Sequence, residues 1–503
     1  MTSLYHNEDS TNFSYNCDTT GGRGGAAIDA YVDVLAGAGV TDLLCNTNAQ
    51  LVNYRSDVWQ SFWEGYDPDG PDDQPYLAGF GDEAKSVPVA RWRRLVGHML
   101  ALHEEGVDYP ARFAERCRHH DMTPWVSIRM NDIHQGQNPA HPIHSRFWRD
   151  NPQLWRRGFS DYFATAFDFA HGSVRDYYGA LIRETLERYD IDGLELDFMR
   201  EPYLFSRGEA GAGRAILTAW MRQIRRWVEA RAHQRGRAIR LGVRVPAHPE
   251  VAVAMGIDAV EWARRGLVDL VVAAPRWATI DFDVPIPRWR ELLEPHDVEL
   301  AGGLEILLCP HPTAPKRPVT AAEARGAAAQ MLAGGADAVY LFNYFQHCDP
   351  DRVPDRWPGE RYQETLRSLA SLDRIETQPR RHAVTFVDVT GPEDESLHEP
   401  PLPAEGTDLT FRLPTGPEPP AGATCDLVLG LADEGGATPS VTVNGSAELE
   451  VLGEGMEGEL RQVCYRVPVE ALATGAANQV RVSRPAASFW VESLSIGINP
   501  PGC

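Results

Sequence analysis

Two carboxylates, Glu195 and Asp197, stand two residues apart in the segment YDIDGLELDFMREP, residues 189–202. Alternate side chains of an extended strand share a face, so Gly193, Glu195 and Asp197 point one way and Leu194, Leu196 and Phe198 the other. Two unpaired charges on the inner face of a buried strand would be costly. A strand whose end opens into a polar pocket escapes that cost. Neighbouring carboxyl groups can donate a proton to a leaving oxygen and attack, or activate water, on the other side of a bond. A third carboxylate, Glu305, follows the apolar run 299–304 and is expected to face Glu195 and Asp197 from the far side of the same pocket.

Other polar residues collect where apolar runs end. His6, Asn7, Glu8 and Asp9 follow one such run, and Asn46, Asn48 and Gln50 another. SIRMNDIH, residues 127–134, supplies Arg129, Asn131, Asp132 and His134, and Arg200 and Glu201 trail the acidic pair. Arg244, Arg276, Trp277, Asn343 and Tyr344 complete the set. From it Asn46, Asn48, Arg129, Asn131, Asp132, His134, Arg200, Arg244, Trp277, Asn343 and Tyr344 are expected to bind substrate; the opposite ends of the runs show no comparable set. The bland alternative pairs Glu195 or Asp197 with Arg129 or Arg244 as a structural ion pair. Asp132, with His134, His141 and His144, is an alternative metal site, but these histidines lack the i, i+4 helical spacing of a zinc motif, so no metal or other cofactor is assigned. Trp59, Trp63 and Tyr66 in one insert, and Trp148 and Trp155 in another, suit sugar faces, although most tryptophans are packing residues.

Eight β-like runs must position these groups: 4–8, 41–45, 123–129, 191–197, 239–245, 268–273, 299–304 and 336–342. Helical patterns separate or follow them at 26–36, 89–104, 109–119, 174–189, 212–235, 249–264, 287–293, 321–332 and 361–372. Eight βα pairs predict a (β/α)8 TIM barrel over residues 1–376, whose active site lies at the C-terminal ends of the strands. GGRGG at 21–25 starts no dinucleotide fingerprint, and Gly334 and Gly335 precede the eighth strand, on the wrong face for a phosphate site. Long inserts at 46–88 and 131–160 both follow strand ends on the expected active face. After a join at 377–381, alternating runs at 384–389, 409–413, 427–431, 441–443, 463–467, 480–482 and 489–496 predict an accessory β-sandwich over 382–503, with the acidic, proline-rich stretch 391–405 as an exposed loop.

The net charge of −23 argues against nucleic acid or an anionic membrane as partner. No apolar run approaches a membrane span and no signal peptide is visible at the start. Eight cysteines carry no metal-ligand spacing and several sit in apolar runs, so a reduced, cytoplasmic protein is expected. The only lysines are Lys85, in a loop-like stretch, and Lys316, between prolines, which disfavours Schiff-base chemistry.

DGLELDFMR, SIRMNDIH and GADAVYLFNY together resemble bacterial barrel proteins of the glycosyl hydrolase-like, family-10 type, over residues 1–375. The resemblance implies an acid/base glutamate ending strand four and a nucleophilic glutamate ending strand seven, by position Glu195 (or Asp197) and Glu305. The Asn-Glu pair of that family is absent at strand four, and Leu304-Glu305-Ile306 is not its strand-seven motif. The C-terminal region is similar to accessory domains of such enzymes. The expected function is cleavage of a glycosidic bond in a carbohydrate or glycoconjugate. In a second version Asp197 is nucleophile or base and Glu305 is structural. The rival readings are a metal-dependent barrel hydrolase or isomerase, and a barrel that binds sugar without cutting it.

Overall fold

The computed structural model describes residues 3–80, 86–160, 162–345, 357, 362–389, 391, 400–432, 436–484 and 488–502. Lys85, Cys348, Cys503, Arg361 and residues 392–399 of the expected acidic loop lie outside the described residues, as do 81–85 of the first insert.

Eight parallel strands close into a barrel: β1 (Ser3–Asp9), β2 (Asp42–Asn46), β3 (Thr123–Arg129), β4 (Gly193–Asp197), β5 (Arg240–Pro246), β6 (Leu270–Ala274), β7 (Glu299–Glu305) and β8 (Ala338–Phe342). The order around the barrel is β1-β8-β7-β6-β5-β4-β3-β2, so β4 faces β8 across the interior and β7 is one strand further round. The expectation that β4 and β7 are diametric is corrected by that order. Helices lie between the strands, among them Gly24–Gly37, Ser86–Glu104, Tyr109–His119, Gly172–Arg188, Ala210–Arg235 and Ala321–Ala333. The single helix expected at 249–264 is two, Pro249–Ala254 and Ala259–Arg264. Gly256 at φ +86° turns the chain between them, and the Asp258 side chain caps the second by accepting from Glu261 N at 3.0 Å.

The barrel interior is packed rather than hollow. Tyr5, Leu44, Trp125, Val272, Ala301, Tyr340 and Phe342 form one buried cluster inside it. Trp125 needs bare backbone beside it: a Cβ on Gly193 would lie 1.9 Å from its indole ring. Gly193→Ala is therefore expected to lose about 3 kcal/mol of stability in urea unfolding. An alanine variant as stable as the parent would mean the indole has room to move.

The N-terminal ends of the strands are also polar, contrary to expectation. Arg240 pairs with Glu299, which accepts from Tyr5 OH at 2.8 Å, and Asp42 accepts from Trp125 Nε1 at 3.0 Å. These groups close the floor of the barrel.

The C-terminal region is a β-sandwich. Strands Arg380–Ala383, Phe489–Asn499, Thr424–Leu431, Leu460–Val467 and Glu450–Glu457 form one antiparallel sheet in that order, with Ala404–Gly406 added to Phe489–Asn499. Asp408–Pro414, Ala477–Ser483 and Ser440–Val443 form the other, and Leu427, Leu429, Val441, Tyr465, Val480 and Ile496 are buried in the core of this region. The run 384–389 is not a strand: after Val384 N donates to Leu494 O at 2.9 Å, the chain leaves the sheet. Glu450–Glu457 gave no alternating pattern because every one of its residues is exposed.

The two regions touch closely. Arg325 of helix Ala321–Ala333 donates to Pro379 O at 2.7 Å, and a Cβ on Gly326 would lie 2.0 Å from Arg381 O. Arg412 pairs with Asp283 at 2.6 Å. The Asp388 carboxylate accepts from the backbone N–H groups of Arg276, Trp277 and Ala278 at 3.0–3.1 Å. Cys17 is disulfide-bonded, which departs from the expectation of free thiols throughout; Cys45, Cys117, Cys309, Cys425 and Cys464 are free. Among the described residues no helix is long and apolar enough to cross a membrane.

Candidate active site

Strand parity puts Asn7 and Asp9 of β1, Ser127 and Arg129 of β3, Glu195 and Asp197 of β4, Arg244 of β5, Glu305 of β7 and Tyr340 of β8 on the inner face, above the Trp125 layer. They divide into a deep group and a group at the mouth.

Glu195 is the deep carboxyl. It is fully buried, and its Oε1 accepts from Asn7 Nδ2 at 3.1 Å, Ser127 Oγ at 2.6 Å and Tyr340 OH at 2.9 Å. Its Oε2 is buried with no hydrogen-bond partner among the described residues. Burial, and then the charge of Asp197, raise its pKa above the usual carboxylate range. The hydrogen bonds from Ser127 and Tyr340 oppose that rise, but burial outweighs them.

Asp197 lies one inward position nearer the mouth and is paired. Arg244 Nη1 is 3.2 Å from both of its oxygens, and Met199 N donates to Oδ1 at 2.9 Å. The other end of Arg244 donates to the carbonyls of Pro275 and Arg276, each at 3.2 Å, and its guanidinium lies 3.7 Å from the Phe342 ring centre. Arg244 is thus fixed on three sides.

Glu305 ends β7 and is 1% exposed. Ile306 N donates to its Oε1 at 3.0 Å, the Asn343 side chain also bonds it, and Oε2 is buried with no hydrogen-bond partner among the described residues. Burial pushes its pKa up to about 7, against the opposing charges of Arg244 and Arg200. Asn343 stands at φ +62°, a left-handed conformation that asparagine tolerates better than most side chains.

A second charged group surrounds Asp132. Its carboxylate accepts from His134 Nδ1 at 2.6 Å and Arg129 Nη1 at 3.3 Å, with Arg200 Nε 3.6 Å away. Burial alone would raise its pKa, but His134, Arg200 and Arg129 hold it well below the usual range. Arg129 also binds Asp9 at 2.8 Å. His141 and His144 do not join this group. His144 stacks on Trp148 at 4.1 Å, and His141 packs against Trp92 and Phe80, where burial pushes its pKa down to about 4. Among the described residues no three His, Cys, Asp or Glu side chains converge as metal ligands. The lone pairs of Asp132 serve arginine and His134 instead.

Several residues expected to bind substrate serve the backbone. Asn48 donates to the carbonyls of Ala49 and Arg129 and accepts from Arg129 N, pinning the first insert to β3. Asn131 donates to the carbonyls of Phe167 and Tyr203 and accepts from Phe167 N. Asn46 donates to Ser127 O at 3.3 Å, and buried Tyr344 donates to Glu305 O at 3.4 Å. His134, Asn343 and Trp277 are half-buried, and Lys316 Nζ lies 4.1 Å from a Trp277 ring centre. Asn7 was expected among the polar strand ends but without a role, and Ser127 and Tyr340 were not singled out. Parity alone would have placed all three on the inner face.

No family model and no curated protein matches the chain, so no family is assigned. Among solved structures it is similar to a cycloisomaltooligosaccharide glucanotransferase from Paenibacillus sp., at 9% identity and TM-score 0.34, with 99% of this chain and 57% of that one covered. The chain therefore spans little more than half of that protein. It is similar to the maltogenic α-amylase AmyB of Thermotoga neapolitana at 12% identity and TM-score 0.37, covering 98% of each. It is also similar to the PgaB glycoside hydrolase domain of Bordetella bronchiseptica at 10% identity and TM-score 0.42, covering 74% of this chain and 99% of that one. Likenesses at this level carry no argument about activity.

Proposed function

We propose that the barrel is a glycosidase-like hydrolase in which Asp197 and Glu305 are the reacting pair. One observation supports this reading: the two carboxyl groups share the field of Arg244 yet stand in opposite surroundings. Asp197 is ion-paired with Arg244, whereas Glu305 has a buried oxygen with no hydrogen-bond partner among the described residues and a pKa pushed up to about 7. Such a division separates an anionic base or nucleophile from a proton donor. Glu305 passes its proton to the glycosidic oxygen as the bond to the anomeric carbon breaks. Asp197 attacks that carbon or activates the water that does.

This assignment exchanges the roles implied by the family-10 resemblance. It also removes Glu195 from the chemistry: enclosed by Asn7, Ser127 and Tyr340, it serves as a positioning residue beneath Asp197. Arg129, Asp132, His134 and Arg200 form one wall for substrate hydroxyls, and Trp277 and Asn343 the opposite rim. Residues 1–376 are the catalytic unit and 382–503 the accessory one.

A barrel that holds sugar without cleaving it is favoured by the near-complete burial of Asp197 and Glu305, each 1% exposed. Release of nitrophenol from aryl glycosides and of reducing ends from oligosaccharides, by the purified full chain, separates the two readings. Cleavage that persists in an Asp197→Asn, Glu305→Gln double variant would overturn the assigned pair.

A further inference from the structure

A cavity of about 400 Å³ lies at the junction of barrel and sandwich. Its barrel side is formed by Phe163, Arg276, Asp281 and Phe282, and its other side by the segment that leaves the sandwich sheet, including Thr385 and Phe386. The size is that of a small-molecule site. Its lining combines aromatic faces with a few polar groups.

Two features tie this cavity to the barrel mouth. The Arg276 carbonyl accepts from Arg244, the residue that holds Asp197, so the cavity wall begins at the ion pair of the proposed active site. The Arg276 side chain lies over the Phe163 ring, 4.6 Å from its centre, and pairs with buried Glu201 at 3.2 Å. The junction itself is fixed, because Asp388 holds the backbone N–H groups of residues 276–278 and Arg412 holds Asp283.

Several charged side chains line the cavity and are engaged, Arg276 with Glu201, Arg412 with Asp283 and Asp388 with backbone N–H groups; Asp281 lines it beside them. Asp281 is 6% exposed, and its carboxyl accepts from Asp283 N at 2.8 Å. Burial pushes its pKa up to about 7, helped by the charges of Asp283 and Asp388. A carboxyl that can keep its proton up to about pH 7, beside aromatic rings, suits neutral hydroxyl groups on an apolar-faced ring.

Resting on the hydrolase reading above, we infer that this cavity is a subsite for a neutral sugar ring of an oligosaccharide, completed by the sandwich segment 383–388. The accessory region then sets which chain is held, while the barrel sets which bond is cut.

Binding, not turnover, is the test. The full-length chain carrying Asp197→Asn is applied to an array of neutral and acidic oligosaccharides, alone and combined with Phe386→Ala or Thr385→Trp. The first change removes an aromatic wall, and the second fills the cavity without removing packing. Affinity for neutral oligosaccharides is expected to fall at least about tenfold with either change, a loss of ~1.4 kcal/mol. Unchanged binding in Thr385→Trp, binding of acidic glycans alone, or no binding of any neutral oligosaccharide would each overturn the inference. Neutral binding lost in both variants, in a chain that never cleaves, would instead count against the hydrolase reading alone.

Discussion

Asp197→Asn is expected to lower turnover at least ~10³-fold, the scale seen when one member of a catalytic group is removed. Asparagine has the same shape and can still accept the hydrogen bond from Met199 N, so the end of β4 keeps its local geometry. It cannot attack an anomeric carbon or take a proton from water. The change also leaves Arg244 without its carboxylate partner in a site where both side chains are 1% exposed. Breaking such a buried pair costs about 3–5 kcal/mol of stability. Activity must therefore be compared where circular dichroism shows the variant folded. A folded Asp197→Asn protein within tenfold of the parent would remove Asp197 from the reaction.

Glu305→Gln is expected to change both the rate and its pH dependence. Loss of a general acid slows proton transfer by about 10²–10⁴-fold. An acid with a pKa near 7 must be protonated to work, so parent activity falls as pH rises through about 7, and the variant lacks that limb. Substrates whose leaving group is already acidic, such as nitrophenyl glycosides, should lose least. Stability follows the same proton. Folding raises the pKa of Glu305 from 4.5 to about 7, so the native state binds this proton more tightly than the unfolded chain. The resulting stabilisation, ~3 kcal/mol, is complete below pH 4.5 and lost as pH rises through about 7. Glu305→Gln should flatten that part of the urea-unfolding profile. A variant that keeps the parent's alkaline limb would assign it to another group.

Much of the fold was legible because the strands announce themselves twice, by apolar runs and by polar residues at their ends. β3 has the same bounds in sequence and structure, and the other barrel strands differ by a residue or two. Parity also placed Glu195 and Asp197 on one face. It could not place them in depth. Which inward residues meet depends on the stagger of the closed sheet, and that stagger brings Asn7, Ser127 and Tyr340 around Glu195 while leaving Asp197 to Arg244. The same limit misled the reading of Asn48 and Asn131. A polar residue after a strand looks the same in sequence whether it turns to substrate or ties down its own loop. The strand Glu450–Glu457 was missed for the opposite reason, since a fully exposed strand has no buried face to mark its period.

The seam between β1 and β8 has a consequence for how the chain is made. Ser3 pairs with Ala338 and Asn7 with Phe342, so the first strand to be synthesised waits for the last strand of the barrel. Contacts so remote in sequence slow folding. Until β8 leaves the ribosome, β1 presents an open edge, the kind of surface that invites mispairing between nascent chains. Synthesis stalled just before β8 should therefore yield a protease-sensitive nascent chain, and release beyond it a resistant one.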